Sequence, residues 1–193
     1  MIAPNPIAGV TLGLLAGGRA TRLGGLDKAW LEREGVPQVV RLVHRFDAKV
    51  AAAMVSANRD HPRYEAVGVK AVADRVAGAG PLGGIEALAD ACATEWLLTL
   101  PVDLVGVNEC LLPSLAAAGR PGAYAVDEDG VQPLVALWAV EALRAASSEA
   151  LARGELSVQA LQAAMSMKAV RFAGVRFGNL NTPADLAAAG FTA

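Results

Sequence analysis

Arg19, Arg22 and Lys28 crowd into one stretch, "LLAGGRATRLGGLDKAW" (residues 14–30), among two pairs of glycines. Glycine has no Cβ, so its backbone can approach a ligand closely and take unusual angles. Backbone N–H groups at residues 16–18 can then cradle phosphate oxygens. The three cations can neutralise a triphosphate as one of its bonds breaks. The competing reading is a flexible basic turn. The stretch is neither a G-x-x-x-x-G-K-[ST] loop nor a G-x-G-x-x-G fingerprint.

Three further segments hold chemistry-bearing residues. In "LLTLPVDLV", Asp103 follows a continuous apolar run. A carboxylate at such a strand end, facing a phosphate loop, suits Mg²⁺, which takes one or two protein oxygens plus substrate phosphates; a turn or helix N-cap aspartate is the alternative. In "VADRVAGAGPLGGIEAL", Asp74 ends an apolar run, and residues 78–84 bring four glycines and a proline ahead of a helix. That segment can approach a flat base or be only a loop. In "FGNLNTPADL", Asn179 and Asn181 precede a helix; capping is the simplest role for them, metal coordination the other. His44 and His61 have no partner nearby in sequence, so neither a zinc site nor a histidine triad is indicated.

The background is neutral. Net charge is −2, so nothing global points to nucleic acid or an anionic membrane. Hydrophobic residues make up 54 % and charged residues 19 %, the balance of a chain with a sizeable core. Its 193 residues are most simply one domain, 1–193. Cys92 and Cys110 lie in apolar surroundings and read as packing residues rather than a disulfide framework. The first ten residues carry no basic n-region, and no run reaches the ~20 apolar residues of a membrane helix. A cytoplasmic protein without membrane or nucleic-acid partners is the expectation.

The positioning elements alternate. Residues 10–15, 50–56, 69–73 and 96–100 read as buried strands, and 123–126 and 133–138 as strands flanking the acidic turn "DEDG". Residues 36–46, 82–93, 111–118, 140–153 and 157–164 read as helices, with a late strand at 168–172. The tail has Thr182 as N-cap, Pro183 at the first helical position and Gly190 as terminator. Strands alternating with helices predict an α/β fold with a mostly parallel central sheet covered on both faces. Ligands on such sheets sit at the carboxyl ends of the strands.

Taken together, these segments resemble one family. "LAGGRATRLGGLDK" is similar to the L-x-G-G-x-x-x-R-x-G-x-x-K signature of nucleotidyltransferases, with one residue inserted before the lysine. "GPLGG", "PVD" and "NLNTPADL" follow in the same order. The pattern looks most like the molybdenum cofactor guanylyltransferases, which join GMP from GTP to molybdopterin and release pyrophosphate. The likeness runs over residues 11–186. It implies a single nucleotidyltransferase domain with a three-layer α/β/α Rossmann-like fold.

The resemblance implies that Leu15, Ala16, Gly17, Gly18, Arg19 and Lys28 bind the nucleotide and its phosphates, with Arg22 as the signature arginine. Asn58 and Asp74 fall on nucleotide-contacting positions, and Gly83 lies in the segment like the guanine-binding loop. Asp103 would hold Mg²⁺, with Asn179 and Asn181 near the metal and the incoming phosphate. Arg22, Lys28 and Asp103 would carry the catalysis. Molybdoenzyme chaperones and other cofactor-biosynthesis proteins are implied partners.

Three departures stand out. Val102 replaces the cysteine of "PCD", Gln132 replaces the histidine of "HPL", and residues 151–167 carry only one basic residue, Arg153, where the family offers several. A related cytidylyl- or sugar-phosphate nucleotidyltransferase is the alternative, as is a nucleotide-binding homologue without catalysis. The double glycine of "LAGG" and "GPLGG" favour the guanylyl branch; Lys28 and Asp103 favour catalysis.

Overall fold

The computed structural model describes residues 9–16 and 27–192. Its strands are β1 (Val10–Leu15), β2 (Glu32–Arg33), β3 (Val36–Pro37), β4 (Ala52–Ser56), β5 (Lys70–Val72), β6 (Trp96–Pro101), β7 (Gly122–Asp127), β8 (Gly130–Ala139) and β9 (Lys168–Arg171). Its helices are α1 (Gln38–Phe46), α2 (His61–Ala66), α3 (Gly80–Ala91), α4 (Leu111–Ala117), α5 (Val140–Ala152), α6 (Val158–Ala164) and α7 (Pro183–Ala189).

Seven strands form one sheet in the order β5-β4-β1-β6-β8-β7-β9, while β2 and β3 make a small separate ribbon. β1 pairs in parallel with both β4 and β6, β4 with β5, and β7 with β9. Only β8 runs against its neighbours β6 and β7. The sheet is thus mostly parallel, as expected.

Burial on both faces explains why β1 reads as unbroken apolar sequence: all six of its residues are buried. One face packs against Val39, Leu42 and Phe46 of α1 and Leu111, Leu112 and Leu115 of α4. The other packs against Leu82, Ile85 and Leu88 of α3, Leu143 of α5 and Leu161 of α6. These are the three α/β/α layers. A third, smaller cluster joins Leu31, Leu180, Leu186 and Phe191 beside the ribbon.

The chain moves from β1 to β4 and β5 on one side, then crosses to β6 on the other. That reversal leaves a crevice at the carboxyl ends of β1 and β6, where open α/β sheets bind ligands. Two differences from the sequence reading concern local elements. The helix expected over 36–46 starts at Gln38, because Val36 and Pro37 pair with Arg33 and Glu32. Helix α2 went unforeseen: of "HPRYEA" only Tyr64 is buried, so no apolar period marks it.

Candidate active site

Lys28 Nζ donates to Asp103 Oδ2 at 2.7 Å and to Asn181 Oδ1 at 2.6 Å. These residues come from three distant parts of the chain, and each is placed by its own local structure.

Lys28 opens a single 3₁₀ turn, Lys28–Trp30, whose N-cap Asp27 accepts from the Ala29 N–H at 3.0 Å. Ala29 and Leu31 are buried, anchoring the turn. Trp30 packs on Tyr64 of α2 with ring centroids 5.0 Å apart, and the Arg63 guanidinium lies 4.0 Å from the Trp30 ring centre. Burial, with Asp27 and Asp60 adding negative charge nearby, pushes the Tyr64 hydroxyl above its ordinary value.

Asp103 follows β6. The Leu104 carbonyl next to it accepts from Gln38 Nε2 at 2.9 Å, and the Asp103 carbonyl accepts from the Leu180 N–H at 3.0 Å. It is not a helix cap, since α4 begins later and its N-cap position is Cys110.

Asn181 is held by a capping box. Asp185 Oδ2 accepts from the N–H groups of Asn181 at 3.1 Å and Thr182 at 2.8 Å, while Thr182 Oγ1 accepts from the Asp185 N–H. The cap of α7 is therefore Thr182, as read, and not the asparagines, whose capping role the structure overturns. Asn181 spends its side chain on Lys28 because Thr182 already supplies the cap. The hydrogen bonds from Thr182, then the Asn181 N–H and the Lys28 charge, overcome burial and hold the Asp185 carboxyl below its ordinary range. Asn179 is brought alongside through a backbone bridge to Leu104.

A second group lies at the ends of β1, β4 and β5. Asn58 Nδ2 donates to Asp74 Oδ2 at 3.0 Å, and the Asp74 N–H donates back to Asn58 Oδ1 at 2.9 Å. Ser56 Oγ donates to Asp74 Oδ1 at 2.9 Å, a partner the sequence reading did not single out. The Ala16 N–H donates to the Ser56 carbonyl at 3.0 Å, tying Leu15 and Ala16 to the same strand end. Glycines let α3 press onto this group. A Cβ at Gly84 would stand 2.6 Å from Ser56 Oγ, and one at Gly83 would stand 3.0 Å from the Ala79 Cβ and 3.7 Å from the Asp74 Cβ. Gly17, Gly18, Arg19 and Arg22 lie outside the described residues.

Asp127 is a third anchor, also missed. It is 1 % exposed, and among the described residues it makes no ion pair. Its oxygens accept from the N–H groups of Phe177 at 2.7 Å and Asp129 at 2.9 Å, and from Gln132 Nε2 at 3.1 Å. Burial pushes its carboxyl up, but these bonds win and hold it below the usual carboxylate range. Gln132 thus has work that needs no charge. The Asp127–Phe177 bond fixes the segment that leads into Asn179 and Asn181.

The donor set is one of hard oxygens: the Asp103 carboxylate with the Asn181 amide oxygen beside it, on side chains partly open to water. Among the described residues no three His, Cys, Asp or Glu side chains converge. Such a set fits a cation like Mg²⁺, which completes its shell from phosphate and water, and does not fit a closed zinc site.

A mostly parallel sheet with a lysine and a carboxylate at the carboxyl ends of its central strands is an α/β protein whose crevice suits an anionic ligand. The sequence pattern of the MobA-like NTP transferase domain matches residues 13–168, and the chain belongs to that family. Molybdenum cofactor guanylyltransferase of Yersinia pseudotuberculosis serotype O:1b (strain IP 31758) is 33 % identical over 187 residues, 94 % of this chain and 93 % of that protein. Among solved structures, molybdopterin-guanine dinucleotide biosynthesis protein A from Archaeoglobus fulgidus has a TM-score of 0.70 at 19 % identity, covering 93 % of this chain and 96 % of that one. A 2-C-methyl-D-erythritol 4-phosphate cytidylyltransferase from Thermus thermophilus reaches 0.66 at 16 % identity, covering 92 % and 96 %. These two structural likenesses bear on the fold alone.

Proposed function

We propose that this chain transfers GMP from GTP to molybdopterin, forming molybdopterin guanine dinucleotide and releasing pyrophosphate. The observation that carries the reading is the convergence of Lys28, Asp103 and Asn181 at the carboxyl ends of the sheet, in a chain of this family.

The chemistry joins two anions. An oxygen of the molybdopterin phosphate forms a bond to the α-phosphorus of GTP; the bond from that phosphorus to the bridging oxygen breaks, and its electron pair leaves with pyrophosphate. The attacking phosphate is already ionised, so no side chain has to remove a proton. What remains is positioning and charge neutralisation. Lys28, Arg19 and Arg22 neutralise the triphosphate, and Leu15, Ala16, Gly17 and Gly18 complete the nucleotide-binding segment. Asn58 and Asp74, locked to each other and to Ser56, face the nucleoside, and Gly83 lets α3 lie close to the base. Asp103 would hold Mg²⁺, with Asn179 and Asn181 near the metal and the incoming phosphate. When bound, Mg²⁺ supplies positive charge against the phosphate oxygens.

The chain acts as one nucleotidyltransferase domain in the cytoplasm, and hands its product to molybdoenzyme chaperones or other proteins of cofactor biosynthesis. Among the described residues no helix is long and apolar enough to cross a membrane.

Calorimetric titration with GTP, CTP, ATP and UTP, each with Mg²⁺, tests the nucleotide half. Selective GTP binding is expected. Selective CTP binding would place the chain with the cytidylyl transferases, and no binding to any of the four would leave a homologue without catalysis.

A further inference from the structure

Lys28 has two anchored sides, and the second is made by apolar residues: Leu31, the two leucines of "NLNTPADL" and Phe191. Leu180 is fully buried between Asn179 and Asn181, so the loop turns its leucine inward. There Leu180 meets Leu31, three residues after Lys28, together with Leu186 and Phe191. Phe191 is brought there by the termination of α7 at Gly190, whose φ of 72° only a residue at ease in left-handed backbone adopts, and by the Phe191 N–H donating to the Leu186 carbonyl at 2.9 Å. One residue on, Thr192 and Glu32 exchange two backbone hydrogen bonds, at 2.8 and 3.1 Å. The Lys28 turn and the asparagine loop are therefore joined by an apolar cluster and a two-bond bridge.

We infer that Phe191 and the Glu32–Thr192 bridge are a clasp whose work is to hold Lys28 against Asp103 and Asn181; Phe191 is a positioning residue for the reaction, acting through Lys28. The physical reason is distance. The contacts of Lys28 at 2.7 and 2.6 Å require its turn and two other segments to be registered within a fraction of an ångström, and reacting groups displaced by ~1 Å lose ~10²-fold in rate. The Lys28–Asp103 pair, with each side chain 20 % exposed, lies between the exposed and buried limits and contributes too little to fix three segments by itself. An apolar cluster with a short backbone ladder does, because packed side chains resist small shifts. The catalytic part of this inference rests on the proposed function; the positioning part does not.

The test measures Lys28 directly. Acylation of each lysine by a water-soluble amine reagent is followed by mass spectrometry in the wild type, Phe191→Ala, Phe191→Leu and Thr192→Pro. The last removes the Thr192 N–H donor and leaves every apolar side chain of the cluster in place. The expected result is a severalfold faster reaction at Lys28 in Phe191→Ala and Thr192→Pro, no change at Lys70 or Lys168, and near wild-type behaviour in Phe191→Leu. Guanylyl transfer by the same proteins should fall about tenfold in kcat in step with Lys28 exposure. In a Lys28→Ala background the Phe191→Ala change should add little, as expected for residues acting as a unit.

Unchanged Lys28 reactivity in the two disruptive variants would overturn the clasp. So would a rise shared by all lysines, which marks general loosening, or a loss of transfer with Lys28 still protected. If even the wild type transfers no GMP, the proposed function fails while the lysine measurement still decides the clasp. Should Phe191→Ala not fold, Thr192→Pro carries the decision.

Discussion

Lys28→Met removes the ammonium and keeps most of the apolar stem, so it separates charge from packing. Two magnitudes follow. For stability, the Lys28–Asp103 pair sits between two limits: exposed pairs contribute ~0–1 kcal/mol, while breaking a fully buried pair costs ~3–5 kcal/mol. Each side chain is 20 % exposed, and Asn181 can rehydrate with Asp103, so the loss should be about 1–2 kcal/mol. In a domain of this size that lowers Tm by roughly 2–8 °C. For catalysis, removing one donor aimed at developing charge costs ~10²–10³ in rate. The rate loss thus exceeds what the stability change explains. Single-turnover GMP transfer at saturating GTP, with a thermal melt of the same preparation, measures both. A folded variant that transfers within threefold of the wild type would refute the role of the charge. A variant that melts below the assay temperature would show that the lysine holds the fold together, and would refute the division drawn here.

Asp103→Ala should abolish transfer while the melt falls by no more than the loss of the Lys28 pair explains, about 1–2 kcal/mol; wild-type transfer would remove the metal assignment. Gly84→Ala should destabilise by about 1–3 kcal/mol through overpacking and weaken nucleotide binding, because the new Cβ meets Ser56 Oγ at 2.6 Å and displaces the donor to Asp74; a melt and GTP affinity equal to wild type would contradict the close approach of α3. Asp127→Asn puts an NH₂ where two N–H groups and an amide already donate, and should cost ~1–3 kcal/mol in chemical denaturation. The pH dependence has a fixed sign: the Asp127 and Asp185 carboxyls lie lower in the folded chain than in the unfolded one, so their contribution is complete above the ordinary carboxylate value of ~3.9 and fades as pH falls through their folded values. Denaturation midpoints taken from pH 7 down to 3 should drop on the acid side, and less so in Asp127→Asn.

The strands were legible because burial on both faces leaves continuous apolar runs, as in β1 and β6, and α7 because its Thr-Pro start and glycine end are chemical signals. Helix α2 was not, since five of its six residues are unburied. Asn58 and Asp74 were each named as nucleotide-contacting positions, but their mutual bonds depend on the pairing of β4 with β5, which no local pattern encodes. Gln132 stood out only as a replacement for the histidine of "HPL"; the buried Asp127, which accepts from its amide and from backbone N–H groups, shows why an amide suffices there. For Asn181 the sequence left capping as the simplest role and the resemblance implied a place near the metal; its contact with Lys28, 153 positions away, is a tertiary fact that no local pattern encodes. Leu31 and Phe191 carry no signal at all, being ordinary apolar residues whose meaning arises only when they meet.

The central claim is guanylyl transfer, and one reaction tests it most directly. The purified protein is incubated with molybdopterin, Mg²⁺ and GTP labelled at the α-phosphorus, and label is followed into the dinucleotide while pyrophosphate is quantified. The expected result is molybdopterin guanine dinucleotide and pyrophosphate in equal amounts, with CTP a poor substitute and Lys28→Met nearly inactive. A cytosine dinucleotide formed in preference, or no label transferred by protein that binds GTP, would contradict the account.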